Sequence, residues 1–449
     1  MIYACILKNI LVRVQMIKFI DLFAGMGGFR LGFEQAAKEM SVSSQCVFSS
    51  EIKEHAVEVY KNNFSNHEIH GDITKIDASA IPDFDVLLAG FPCQAFSMAG
   101  KRNGFGDTRG TMFFEVERIL KAKRPKAFIL ENVEGLIIHE RPKGVKGIGK
   151  TLEIMLNNLQ ALGYSVEWRL FDSSKFGLAQ SRKRVFIVGT LNGRVDLNNF
   201  EEKNTVVTDV LEKGLPLLDT PFTRQLVSAV GVNNLHGKAV RDKRGGGNNI
   251  HSWDIGVKGP VSAEQRKLIM TIMRVRRYKK WAKLKGITWS DGMPLTRDEI
   301  ASVYPHEQLN EMLEDLCQKG YLKLEHPKDM FKKIDEATGR EVNYRDYRID
   351  VPKGYNIVTG KLSFEITQIL DPMVPAPTLV ATDINRIAVV DGQGIRRLSK
   401  IEQKRLFGFP DDYILPIKDK HTHDLLGNTV PVPVVREVSK RLLSEIMNW

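Results

Sequence analysis

The 449-residue sequence predicts an α/β fold in which a doubly wound, mainly parallel sheet is accompanied by a second, irregular domain. Three observations carry this. From residue 17 to about 190, short apolar runs alternate with amphipathic stretches, the pattern of strands covered by helices on both faces. The first run leads into the glycine-rich turn Ala24-Gly25-Met26-Gly27-Gly28, with a helical pattern behind it. The rhythm then breaks near residue 191 and resumes at about 396.

In order along the chain, residues 18–23, 45–50, 85–89, 127–130, 166–171 and 184–189 read as strands. In such a sheet, ligands bind at the carboxyl ends of the strands. The middle region carries a glycine-rich basic loop at 241–249 that contains Arg241, Lys243 and Arg244. It also carries a basic segment, 265–285, with nine Lys and Arg and no acid, which predicts a helix capped by Ser262 with a face holding Arg274, Arg276 and Arg277. A short helix after Thr296, a second at 306–319 and strands at 321–325 and 347–351 would make residues 262–351 a winged-helix-like insert. The second of these helices carries Glu307, Glu311, Glu314 and Asp315 and would repel a polyanion, which leaves any such contact to the basic helix or the glycine-rich loop. After 396 come a helix at 399–407, a turn at 408–412 and a final amphipathic helix at 434–447.

Composition narrows the function. Lys and Arg number 65 against 54 Asp and Glu, and the net charge of +11 points to a polyanion, nucleic acid ahead of an anionic membrane surface. No apolar run approaches the roughly 18 residues of a membrane span. The four cysteines form no Cys-x-x-Cys pair, so neither a metal cluster nor a disulfide framework is expected, and a reducing cytoplasm fits. Residues 1–16 read as a leader, with Met16 an alternative start.

The residues that carry chemistry stand at strand ends. The glycine turn would bring backbone amides close to a ligand, but Arg30 occupies the position where a dinucleotide fingerprint needs glycine, which excludes hydride transfer of that type. Glu51 and Asp72 follow the next two strands and suit ribose hydroxyls and an adenine amino group; either alone is equally an ordinary strand-end acid. The strand 85–89 runs into Gly90-Phe91-Pro92-Cys93-Gln94-Ala95-Phe96-Ser97. A lone cysteine is usually a small buried hydrophobe, but Cys93 stands behind a proline and ahead of the polar stretch 100–106, a nucleophile at the mouth of a cleft beside a potential cover. Glu131 ends the strand 127–130, and Gln180-Ser181-Arg182-Lys183-Arg184 enters another. A thiol, a carboxyl and guanidinium groups at one sheet edge are the parts needed to attack an electron-poor ring.

The ordered set FAGMGG, GFPCQAFS, ENV, QSRKR, a variable stretch, RRLSKIEQKRLFGFPDDY and GNTVPVPVV resembles the DNA (cytosine-5)-methyltransferases, especially those of bacterial restriction–modification systems, over about residues 17–190 and 390–440. The resemblance implies the fold of the S-adenosylmethionine-dependent methyltransferases: a catalytic domain at 17–190, a target-recognition domain at 191–395 and a segment, 396–449, that returns to the catalytic domain. It implies that Cys93 adds to carbon 6 of cytosine, that Glu131 hydrogen-bonds or protonates ring nitrogen 3, that Arg184 holds the base oxygen and that Arg182 lies nearer the backbone or the active-site loop. The cofactor S-adenosylmethionine would be held by Phe23, Gly25, Gly27, Gly28, Glu51, Ile52, Asp72, Ile73 and Pro92, with Asn428 and Val430 closing the pocket. The substrate would be double-stranded DNA with the target base rotated out, Gln94, Ser97 or Arg102 filling the gap or gripping phosphates, and the protein a monomer working beside a restriction endonuclease of the same site. A tRNA cytosine-5 methyltransferase and a non-catalytic DNA-binding protein on the same fold are the competing readings; the long middle region favours a reader of duplex sequence, and Cys93 with Glu131 favours catalysis.

Overall fold

A computed structural model describes residues 16–65, 67–92, 112–142, 144–242, 245–334, 341–358 and 364–448. The chain divides into two compact units: Met1–Glu212 with Pro372–Asn385 and Leu398–Trp449, and Lys213–Asp371 with Arg386–Arg397. Residues 191–212 and Pro372–Asn385, which the sequence pattern assigns to the target-recognition domain, thus cluster with the sheet unit instead.

The first unit is built on seven strands among the described residues: β1 (Ile17–Leu22), β2 (Ser44–Ser50), β3 (Ile69–His70), β4 (Val86–Gly90), β5 (Ala127–Val133), β6 (Ser165–Asp172) and β7 (Lys183–Thr190). Their spatial order is β3-β2-β1-β4-β5-β7-β6. β1 to β5 are parallel, and β7 runs antiparallel to both neighbours. The register aligns the carboxyl ends: Leu22 faces Ser50 and Ala89, Ser50 faces His70, and Gly90 faces Glu131. Because successive side chains of a strand point to opposite faces, Val86 and Leu88 join one core while Leu87 and Ala89 join the other. Both faces must therefore be covered.

Helices α1 (Gly28–Glu39), α2 (Glu54–Asn63), α3 (Met112–Lys123) and α4 (Lys150–Ala161) follow β1, β2, β4 and β5 in the chain. On one face, Phe29, Phe33 and Ala36 of α1 pack with Val434, Val435, Val438, Leu442 and Ile446 of the final helix, Val432–Ile446. Gly32 permits this approach, since a Cβ there would lie 2.7 Å from Val435 Cγ1. On the other face, Phe113, Ile119 and Leu120 of α3 pack with Leu152, Met155 and Leu159 of α4. The helix Lys400–Phe407 starts at Ser399, whose Oγ accepts the Glu402 amide at 3.1 Å while the Glu402 carboxylate accepts the Ser399 amide at 2.7 Å. It stops at Gly408, φ 84°. A further helix, Asp419–Asn428, has no counterpart in the sequence reading.

The second unit holds a sheet of five short strands and a helical cluster. The cluster corrects two expectations. The basic segment 265–285 is two helices, Ala263–Val275 and Lys279–Leu284, the first capped by Ser262 as expected. The strand expected at 347–351 is absent beyond Tyr347: Leu322–Glu325 pairs with Gly354–Ile357, and between them Lys328–Ile334 and Glu341–Tyr347 form a separate two-stranded ribbon. No described helix is long and apolar enough to cross a membrane.

The final helix completes the core of the first unit. Leu442 is fully buried, so Leu442→Ala should cost about 2–5 kcal/mol of unfolding free energy, measured by urea denaturation.

Candidate active site

The turn after β1 is shaped by backbone conformation. Phe23, Gly25 and Gly27 all adopt positive φ, at 56°, 55° and 82°. A Cβ at Gly27 would lie 2.3 Å from the Phe64 ring and one at Gly28 2.7 Å from Thr429 Oγ1, so neither position has room for a side chain. At Gly25, by contrast, a Cβ would meet nothing nearer than the Phe23 carbonyl oxygen at 4.0 Å, which leaves open space over the loop.

Glu51 fastens this turn to the end of β2. Its Oε2 accepts the Gly25 amide at 2.8 Å, and its Oε1 accepts the amides of Ile52 and Lys53, each at 2.8 Å. A carboxylate offers about four acceptor sites, so one on Oε2 remains for a ligand hydroxyl. Beside it, Ile52 is 71% exposed, a bare apolar side chain at the sheet edge. Asp72 uses Oδ1 to accept the Thr74 amide and hydroxyl, at 3.1 and 2.8 Å, and those bonds hold its carboxyl below the usual range. Ile73 is buried behind it.

Glu131 and Arg184 meet across the β5–β7 pairing. The antiparallel register sets Val133 opposite Arg184, and the Arg184 Nε lies 2.9 Å from Glu131 Oε1 with both side chains largely buried. Burial pushes the Glu131 carboxyl above its usual range against the opposing pull of Arg184 and Arg182. Gly90 stands alongside, where a Cβ would come within 3.5 Å of Glu131 Oε2 and of Val430 Cγ1. Asn132 donates to the Phe91 carbonyl at 3.3 Å and so holds the segment leading out of β4. Pro92 is the last described residue there; Cys93, Gln94, Ser97 and Arg102 lie outside the described residues, as do Lys243 and Arg244. The two described cysteines have their thiols raised by burial, Cys46 to about 11, which makes neither a nucleophile.

Arg182 is bonded into the scaffold and acts on the Glu131 carboxyl through its charge. It is 1% exposed and its guanidinium donates to the carbonyls of Leu379, Gly427 and Thr429, at 3.2, 2.8 and 2.9 Å. It thereby fixes the turn that carries Val430. Asn428 likewise turns back to its own helix, donating to the Asp424 carbonyl and carboxylate at 2.8 and 2.9 Å. The same Asp424 pairs with Lys53 at 2.7 Å and His55 at 3.1 Å, tying the C-terminal segment to the loop after β2. The sequence pattern gives no sign of Asp424 or Leu379, whose partners Lys53 and Gln180 lie 371 and 199 positions away and leave no local signal.

Of the expected DNA contacts in the second unit, Arg276 is corrected. It is 4% exposed, donates to Asn356 Oδ1 at 2.7 Å and is held down to about 10 by burial. Arg277 pairs with Asp291 at 3.2 Å, while Arg274 and Arg241 are exposed.

Behind the glycine turn, Asp21 of β1 is fully buried, with the Tyr60 hydroxyl 3.5 Å from Oδ2, and burial raises its carboxyl well above the usual range despite Arg30. A raised native value means that the folded state keeps this proton after the unfolded chain has lost it. The stabilisation is complete below the unfolded carboxyl value, near 3.9, and disappears as pH climbs through the native value. Asp21→Asn should therefore flatten the decline of unfolding free energy with rising pH, measured by urea titrations at pH 5, 6.5 and 8.

Residues 17–444 match the family described as C-5 cytosine-specific DNA methylase. Among curated relatives, the chain is 53% identical to the Type II methyltransferase M.NlaIV of Neisseria lactamica, over 96% of this chain and 99% of that one. It is 52% identical, with the same coverage, to the Type II methyltransferase M.NgoBV of Neisseria gonorrhoeae. In fold it is similar to the Entamoeba histolytica methyltransferase EhMeth, with a TM-score of 0.51 at 14% identity, covering 96% of this chain and 99% of that one. Strand order, strand-end chemistry and family match agree: the chain belongs to the C-5 cytosine-specific DNA methylases and is a DNA cytosine-5 methyltransferase.

Proposed function

We propose that the protein methylates carbon 5 of a cytosine rotated out of a specific double-stranded DNA sequence, as a monomer in the cytoplasm, and so protects that sequence from a restriction endonuclease of the same site. The observation that carries the chemistry is the buried Glu131–Arg184 pair at the carboxyl edge of the sheet, with Glu131 directly in register with Gly90, the last residue of the strand that leads to Cys93.

Carbon 5 of cytosine is a weak nucleophile. A thiolate at Cys93 adds to carbon 6, forming a carbon–sulfur bond and pushing electrons toward carbon 5. Glu131, its carboxyl raised by burial, is suited to hold a proton against ring nitrogen 3 and to draw the same electrons into the ring. Arg184 keeps that carboxyl oriented and offers its remaining N–H groups to the base oxygen. Once carbon 5 has accepted the methyl group, loss of its proton and cleavage of the carbon–sulfur bond restore the 5,6 double bond and free Cys93.

The residues at the ends of β1 to β4 fit S-adenosylmethionine, which when bound supplies an electrophilic methyl group. The open space over Gly25 admits a ligand against the turn, the spare acceptor site on Glu51 suits a ribose hydroxyl, Ile52 offers an apolar face to a flat base, and Asp72 retains Oδ2 for an amino group. Phe23, Gly27, Gly28, Ile73, Pro92 and Val430 shape the same edge, with Asn428 acting through Asp424.

Methyl transfer from labelled S-adenosylmethionine, with duplex DNA and tRNA side by side, tests this reading. Transfer to duplex DNA is expected, and transfer to tRNA alone would overturn it. Cys93→Ala should abolish transfer and covalent capture of duplexes carrying 5-fluorocytosine while leaving DNA binding measurable. Glu131→Gln should slow transfer by roughly 10²- to 10⁴-fold.

A further inference from the structure

The ribbon formed by Lys328–Ile334 and Glu341–Tyr347 pairs with no other described strand. Its register sets Lys328 opposite Tyr347, Met330 opposite Arg345, Lys332 opposite Asn343 and Ile334 opposite Glu341. Directly opposed residues share a face, and on this face Met330 is 39%, Tyr347 42% and Ile334 71% exposed. A lone hairpin with a bare face is marginal in water, so its order must come from its base. There Asp329 is buried and its Oδ1 accepts the Thr288 amide and hydroxyl, at 3.0 and 2.5 Å, and the Trp289 amide at 3.2 Å. Arg345 lies over the Trp289 ring at 5.1 Å, and Lys328 over the Tyr347 ring at 4.2 Å. The base is anchored, and among the described residues the ribbon pairs with no further strand.

We propose that one face of this ribbon enters the major groove of the substrate duplex and that Asn343 and Arg345 read base edges there, an inference that rests on the DNA-methyltransferase reading above. The dimensions fit, since two strands about 5 Å apart with their side chains fill a groove about 12 Å wide. Among the described residues, no hydrogen bond or ion pair involves the side chain of Asn343 or of Arg345, and stacking on Trp289 leaves the in-plane N–H fork of Arg345 available. Such a fork pairs with the O6 and N7 of guanine, and an asparagine amide pairs with adenine. Lys332 meets Glu341 at 2.8 Å with both side chains well exposed, a weak pair that a phosphate can displace. Charge also discriminates among elements of this unit. The helix Leu309–Gln318 is acidic and Arg276 is buried, whereas the ribbon turns Lys328, Lys332, Lys333 and Arg345 outward or against aromatic rings and keeps Asp329 inside.

The test uses the full chain, its Asn343→Ala, Arg345→Ala and Arg345→Lys variants, and a pool of duplexes of randomised sequence, with methylated positions read by bisulfite sequencing. Wild type should yield one sequence motif. Each alanine variant should lose about 10- to 100-fold of the discrimination at one position of that motif, with its far-ultraviolet circular dichroism unchanged. Arg345→Lys keeps the charge without the fork and should lose the same preference while retaining the salt dependence of binding. An unaltered motif in the variants, at full or at uniformly reduced rate, would overturn the ribbon's role. Wild type that methylates no duplex would instead overturn the methyltransferase reading.

Discussion

Glu131 leaves β5 and Arg184 enters β7 at the same edge of the sheet because those two strands run in opposite directions. In a wholly parallel sheet only strand carboxyl ends gather at the ligand-binding edge. One reversed strand brings its amino end there as well, and with it a cation that its own turn has just delivered. The pairing register then leaves little freedom: Val133 faces Arg184, and the guanidinium reaches the Glu131 carboxyl two residues earlier on the neighbouring strand. Burial and the cation act on that carboxyl in opposite senses, and burial prevails. Its place in the sheet thereby makes an ordinary acid hold its proton more firmly.

The rest of the edge is held by residues acting through the backbone. Glu51 ties the glycine turn to its own loop through three amides, and Arg182 ties the turn that carries Val430 to the loop before β7 through three carbonyls. A buried arginine is tolerated where each carbonyl offsets part of its desolvation, and the nearby Phe407 ring, 5.6 Å away, adds a polarisable face. These bonds confer position on side chains that face the ligands, which is why a basic residue beside a catalytic motif need not be catalytic itself.

Sequence pattern revealed the sheet unit well because its strands alternate between two buried faces and its site residues stand next to strand ends, so periodicity and function share the same landmarks. β1, β2, β4, β5, β6 and β7 all lie within a residue or three of their expected bounds. The strand-end positions of the glycine turn, Glu51, Asp72, Glu131 and Arg184 were legible for the same reason. The middle region was less so. The segment 265–285 looks like one basic helix in composition, but the helix breaks after Val275 and Arg276 turns inward to Asn356, a partner 80 residues away that composition cannot reveal. The segment Pro372–Asn385 carries no periodicity that would reveal its bonds to Gln180 and Ser181, through the Leu379 amide and the Thr378 hydroxyl. Helix Asp419–Asn428 was missed because its polar residues, not an apolar stripe, make its contacts with Lys53 and His55.

The final helix has a bearing on biosynthesis. Its valines and leucines cover α1 and one face of the sheet, so during translation the first strands emerge with that face bare and stay so until some four hundred further residues have been made. At about 5–20 residues per second this is an interval of tens of seconds. The nascent amino-terminal half therefore depends on ribosome-associated chaperones or on transient self-burial, and a ribosome that stalls before residue 432 releases a polypeptide lacking one wall of its own interior.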